Sequence, residues 1–147
     1  MLKGFHIMAI IQWFPGHMSK ARRQVQENLK FVDFVTVLVD ARLPLSSQNP
    51  MLTKIVGDKP KLMILNKVDL ADPVATKEWQ EYFESQGIKT LAINSKEQST
   101  VKKVTDAAKS LMADEIASQK ERGIQIETLR TMIIGIPNAG KSTLMNR

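Results

Sequence analysis

The sequence has 147 residues, 43% of them hydrophobic and 24% charged, the size and balance of one globular domain with its own core. No apolar run approaches the ~20 residues of a membrane span, and no leader with a small-residue cleavage site is read at the N-terminus. Cysteine is absent, which excludes disulfides and thiolate-held metals and fits a cytoplasmic protein. The net charge is +6 and is uneven: Lys3, Lys20, Arg22, Arg23 and Lys30 face only Glu27 within residues 1–32. Two readings stand for that excess, a polyanionic partner such as RNA or a solvated helix face.

In chain order, residues 17–31 place Met18, Ala21, Val25 and Leu29 three and four apart, the spacing of an amphipathic helix with its basic residues outside. "FVTVLVD" (residues 34–40) is a β-branched run of strand length, apolar throughout as in a parallel sheet. A polar, Pro-punctuated loop, "ARLPLSSQNP", follows. "KLMILN" (residues 61–66) is a second buried strand. Residues 71–87 read as a helix with Pro73 near its start, Trp79, Tyr82 and Phe83 on one face, and Gly87 as its stop. "TLAIN" (residues 90–94) is a third strand. Residues 100–122 read as one long helix, with Val101, Val104, Ala108, Leu111 and Ile116 inward. "TMIIG" (residues 131–135) is a fourth strand, and a helix begins at Lys141. Strands alternating with helices predict an α/β fold, a mostly parallel sheet with helices on both faces. Ligands of such sheets bind beyond the C-terminal strand ends, where three motifs collect.

"GIPNAGKS" (residues 135–142) fits G-x-x-x-x-G-K-[ST] between a strand and a helix. The backbone N–H groups of Asn138, Ala139, Gly140, Lys141, Ser142 and Thr143 would wrap a phosphate at the helix N-terminus. Lys141 would bridge the β and γ phosphates, and the Ser142 hydroxyl would ligate Mg²⁺. "NKVD" (Asn66, Lys67, Val68, Asp69) is a weak motif alone, equally an ordinary strand-ending turn. Beside a phosphate loop it predicts guanine recognition. The Asp69 carboxylate can accept from both the N1–H and the 2-amino group of guanine, whereas adenine offers an acceptor at N1 and no 2-amino group. Sites built on such bonds reject the wrong ligand by ~10⁴-fold. The Lys67 stem could lie across the base, and Asn66 could tie this loop to the phosphate loop. "INSKE" follows the third strand, and its Asn94 and Ser95 could bring a backbone N–H to the guanine 6-oxo group.

Together these motifs resemble G4, G5 and G1 of the GTPase superfamily, in the order of the circularly permuted GTPases. "WFPGHMSKARRQ", "DARLPLSSQNP" and "GIPNAGKSTLMNR" are similar to blocks of the bacterial ribosome biogenesis GTPase A family. The resemblance covers about residues 9–147. Residues 1–8 stand outside it as an extension, and residues 9–147 form the N-terminal part of a permuted G domain. G2, G3 and a helical RNA-binding domain are not within these 147 residues, so the three-layer P-loop fold is expected to be incomplete. The strands that flank the G1 strand are expected to be missing, leaving its edge open.

The resemblance implies GTP hydrolysis to GDP and phosphate during late assembly of the large ribosomal subunit. It implies a precursor of that subunit, its rRNA and its ribosomal proteins as partners, and a monomeric protein. It also implies that His17 positions the attacking water, that Asn138 helps to hold K⁺, and that Asp40, Arg42 and Pro44 form a loop beside G4. For His17 the other reading is a helix cap or a phosphate contact. For Asp40 and Arg42 two readings stand, an ion pair bracing the loop and direct contact with nucleotide or ribosome. The alternative function is a fragment that binds guanine nucleotide and RNA without turnover. An ATP-using P-loop protein is disfavoured by Asp69.

Overall fold

The computed structural model describes residues 4–13, 18–41, 54–67, 69, 71–94, 99–124 and 128–135, with backbone alone for residues 4 and 5. Five strands form one sheet: β1 (Gly4–Gln12), β2 (Phe34–Asp40), β3 (Lys61–Asn66), β4 (Lys89–Ala92) and β5 (Thr128–Gly135). Their order is β1-β5-β2-β3-β4, and every adjacent pair is parallel. β2 is buried along its whole length and β3 from Leu62 onward, as the unbroken apolar runs predict for strands covered on both faces.

Helices lie on both sides. Helix α1 (Met18–Asn28), continued by a 3₁₀ turn (Leu29–Phe31), and α2 (Pro73–Ser85) pack on one face. There Ala21, Val25 and Phe83 meet Val35, Val37, Val39, Met63, Leu65, Met132 and Ile134. Helices α3 (Thr100–Leu111) and α4 (Ala113–Glu121) pack on the other. There Val104, Ala107, Ala108 and Met112 meet Phe34, Leu38, Leu62, Ile64, Leu129 and Ile133. This is the three-layer α/β architecture that the alternating pattern predicts.

Local chemistry sets the helix ends. The Asp72 carboxylate caps α2 by accepting from the Val74 N–H (2.9 Å), with Pro73 in the first turn where its missing N–H costs nothing. Gly87 ends α2 with φ +82°, and its N–H donates to the Glu84 carbonyl. At the base of the sheet, the Asp33 carboxylate accepts from the Arg130 N–H (2.7 Å), and the Asp33 N–H donates to the Arg130 carbonyl (2.7 Å). Between β2 and β5 the Thr36 and Thr131 hydroxyls share a buried hydrogen bond of 2.9 Å.

Four expectations are corrected. The first concerns β1: no strand is predicted over residues 4–12. It is a nine-residue strand paired with β5 from Gly4↔Thr128 to Gln12↔Gly135. A β-bulge between Ile7 and Ala9 resets its alternation. Ile7 therefore packs with the α3 and α4 face, while Ala9, Ile11 and Trp13 pack with the α1 and α2 face. The second follows from the first: the edge of β5 is not open, because β1 holds one side and β2 the other. With a partner along its full length, β5 starts at Thr128 rather than Thr131. Third, the long helix is interrupted at Met112 (φ −99°, ψ 12°), which turns the buried Met112 side chain toward the sheet. Fourth, Val101 is exposed, because the sheet-facing stripe of α3 runs through Thr100, Val104, Ala107 and Ala108 instead.

Candidate functional site

With all strands parallel, Gln12, Gly135, Asp40, Asn66 and Ala92 end on one edge of the sheet. From β2 the chain moves outward through β3 to β4, then returns to place β5 on the far side of β2. The order thus reverses between β5 and β2, and a crevice opens at such a point because the neighbouring connections leave to opposite faces. Gly135 pairs with Leu38, so the end of β5 lies two residues below Asp40 along β2. The Trp13 N–H donates to the Gly135 carbonyl over 2.9 Å, which ties the outgoing end of β1 to the point where the phosphate-loop motif begins.

On the β3 side, the buried Asn66 is in register with Asp40, and its carbonyl accepts from the Ala41 N–H (2.7 Å). Lys67 then takes a left-handed backbone conformation, φ 61°, uncommon for a residue with a side chain. This turn lifts the chain off the strand and delivers Asp69 at the surface. The Lys67 Nζ lies 3.5 Å from Oδ2 of Asp40, whose side chain is 5% exposed. The expected Asp40–Arg42 pair falls on Arg42, which lies outside the described residues; the Asp40–Lys67 contact crosses the strand boundary.

On the β4 side, the Ile93 N–H donates to the Leu65 carbonyl (2.9 Å), carrying the pairing one residue past β4. Asn94 is half-buried at the start of the next loop. Its carbonyl accepts from the buried Thr100 hydroxyl (3.0 Å), so the first residue of α3 anchors that loop. Sequence reasoning missed Thr100; its signal is a hydroxyl at a helix start six residues beyond the strand end.

Of the expected site residues, Asn66, Lys67, Asp69 and Asn94 thus stand together at the C-terminal ends of β3 and β4. His17, Val68, Ser95, Asn138, Ala139, Gly140, Lys141, Ser142 and Thr143 lie outside the described residues, as do Pro44 and the final helix. Among the described residues no group of three His, Asp or Glu side chains could hold a metal ion. Among them, too, no helix is long and apolar enough to cross a membrane.

No protein-family model matches the chain. Individual proteins do. The chain is 52% identical over 137 residues to Ribosome biogenesis GTPase A of Bacillus pumilus, an alignment spanning 93% of this chain and 49% of that protein. The chain is a relative of the ribosome biogenesis GTPase A family. It is also 37% identical over 138 residues to Mitochondrial ribosome-associated GTPase 1 of Bos taurus, covering 93% of this chain and 41% of that one. Among solved structures it resembles GNP-bound YlqF from T. maritima, with a TM-score of 0.56 and 29% identity, over 86% of this chain and 46% of that chain. The chain spans about half the length of the curated relatives it matches. The order of its motifs, with "NKVD" before "GIPNAGKS", is that of a circularly permuted GTPase.

Proposed function

We propose that this chain supplies base recognition and phosphate binding for a GTPase that acts in late assembly of the large ribosomal subunit. The observation that carries the proposal is the loop at residues 66–69. It leaves a buried strand by a left-handed turn, beside the strand-order reversal at which β5 feeds the phosphate-loop motif. In this reading Asp69 accepts from the guanine N1–H and 2-amino groups, and Lys67 lies across the base. Asn66 braces the loop, Val68 completes it, and the Asn94–Ser95 backbone faces the 6-oxo group. Asn138, Ala139, Gly140, Lys141, Ser142 and Thr143 hold the phosphates, Lys141 neutralises developing charge, and Ser142 ligates Mg²⁺. His17 positions water and Asn138 contributes to a K⁺ site. Equal GTPase rates in KCl and NaCl would remove the K⁺ role.

The relatives' names support the ribosomal context, and the exposed Lys20, Arg22, Arg23 and Lys30 on α1 and the 3₁₀ turn offer a face for rRNA of the precursor subunit. Residues 9–147 form the permuted G domain and residues 1–8 an extension of it, in a monomeric cytoplasmic protein. The second reading is nucleotide and RNA binding without turnover.

The test is a titration of GDP, ADP and xanthosine diphosphate into the wild type and Asp69→Asn. Asp69 as the guanine reader predicts a shift toward xanthine, whose 2-oxo group needs a donor. Unchanged preference refutes the assignment. Phosphate release from GTP by the same protein separates turnover from binding alone.

A further inference from the structure

Lys67 is held at both ends of its side chain. Its Cα is fixed by the buried end of β3, where Asp40 and Asn66 are in register and Ala41 bonds to the Asn66 carbonyl. Its ammonium lies 3.5 Å from the Asp40 carboxylate, which β2 presents almost fully buried while the Lys67 side chain remains 29% exposed. A lysine stem is otherwise free to sample many rotamers, and a ligand that uses it must pay for ordering it. An anchored charge narrows the rotamers open to the stem between two fixed points. The left-handed backbone at Lys67 is a conformation that persists only where the surroundings enforce it.

We propose that Asp40 is a positioning residue for base recognition: through its charge on Lys67 it sets the stem against which the base packs. The inference rests on residues 66–69 being the guanine site. It gives Asp40 a role through Lys67, distinct from bracing its own loop through Arg42 and from touching the nucleotide.

The experiment is a double-mutant cycle on the full chain. GDP affinity and thermal midpoint are measured for the wild type, Asp40→Asn, Lys67→Met and the double variant, with Asp69→Asn as the control for base reading. Asp40→Asn is expected to weaken GDP roughly tenfold, the scale of one coupled contact. In the Lys67→Met background the same change should cost nothing further. Asp40→Glu keeps the charge one methylene away and should lose less than Asp40→Asn; it is also the variant to use if Asp40→Asn does not fold. Additive losses, equal losses for Asp40→Glu and Asp40→Asn, or a GDP loss that merely tracks the thermal midpoint overturn the inference alone. An Asp69→Asn protein with unchanged base preference overturns the guanine reading and this inference with it.

Discussion

The Trp13 N–H and the Gly135 carbonyl, 2.9 Å apart, join the outgoing end of the first strand to the outgoing end of the last described one. Trp13 is buried, and its neighbour in space is the first residue of "GIPNAGKS". It should therefore report on the phosphate loop. In a Trp79→Phe background, which leaves Trp13 as the lone tryptophan, the emission should be that of a buried indole and should change on adding GDP with Mg²⁺. A spectrum indifferent to saturating nucleotide would separate Trp13 from the loop.

The Thr36–Thr131 pair offers a test of buried polar coupling. Thr131→Val deprives the Thr36 hydroxyl of its partner at 2.9 Å inside the sheet and should cost ~1–3 kcal/mol, the penalty of an unsatisfied buried group. Replacing both threonines by valine removes both polar atoms and should recover much of that loss. Urea unfolding of the two single variants and the double variant gives the comparison; a double variant as unstable as the sum of the singles contradicts it.

Gly87 isolates a backbone effect. Its φ is +82°, and a Cβ built there meets nothing within 4 Å. Gly87→Ala should cost about 1–2 kcal/mol from conformation alone, with no steric repacking. Denaturant midpoints measure it, and an unchanged midpoint means the turn relaxes freely.

The basic face of α1 is tested by charge removal. Replacing Lys20, Arg22 and Arg23 with Gln should weaken RNA binding for every sequence tried and flatten its dependence on salt. Equal binding and slope would leave this face as solvated surface. These side chains are exposed, so the fold should be untouched.

Residues 4–7, at the end of the N-terminal segment 1–7, supply the partners of β5 from Thr128 to Thr131. Deleting that segment should lower the unfolding temperature and speed hydrogen exchange at residues 128–131, with little change near Gly135. Unaltered exchange there would mean that the pairing contributes nothing to stability.

Much of this architecture was legible, and the reasons differ by element. β2 and β3 matched their sequence runs because strands buried on both faces leave no polar interruption. α1 and α2 were legible from period and end chemistry, since Ala21, Val25 and Phe83 fall where the apolar spacing puts them. β1 was not, because its bulge breaks the alternation and its partner comes more than a hundred residues later. The Asp69 loop was readable as a motif. The Asp40–Lys67 contact was not, because only the parallel register of β2 with β3 brings Lys67 into reach.

The strand order has a consequence for the chain as it is made. β5, the last described element to leave the ribosome, belongs between β1, the first, and β2. β2, β3 and β4 can pair in the order in which they emerge. β1 has no neighbour until β5 arrives, so its Ile7, Ile10 and Ile11 must remain unpaired while most of the chain is synthesised. Closing that contact over so long an intervening segment is slow. Strand order therefore makes the β1–β5 pairing the contact that must wait longest for its second strand.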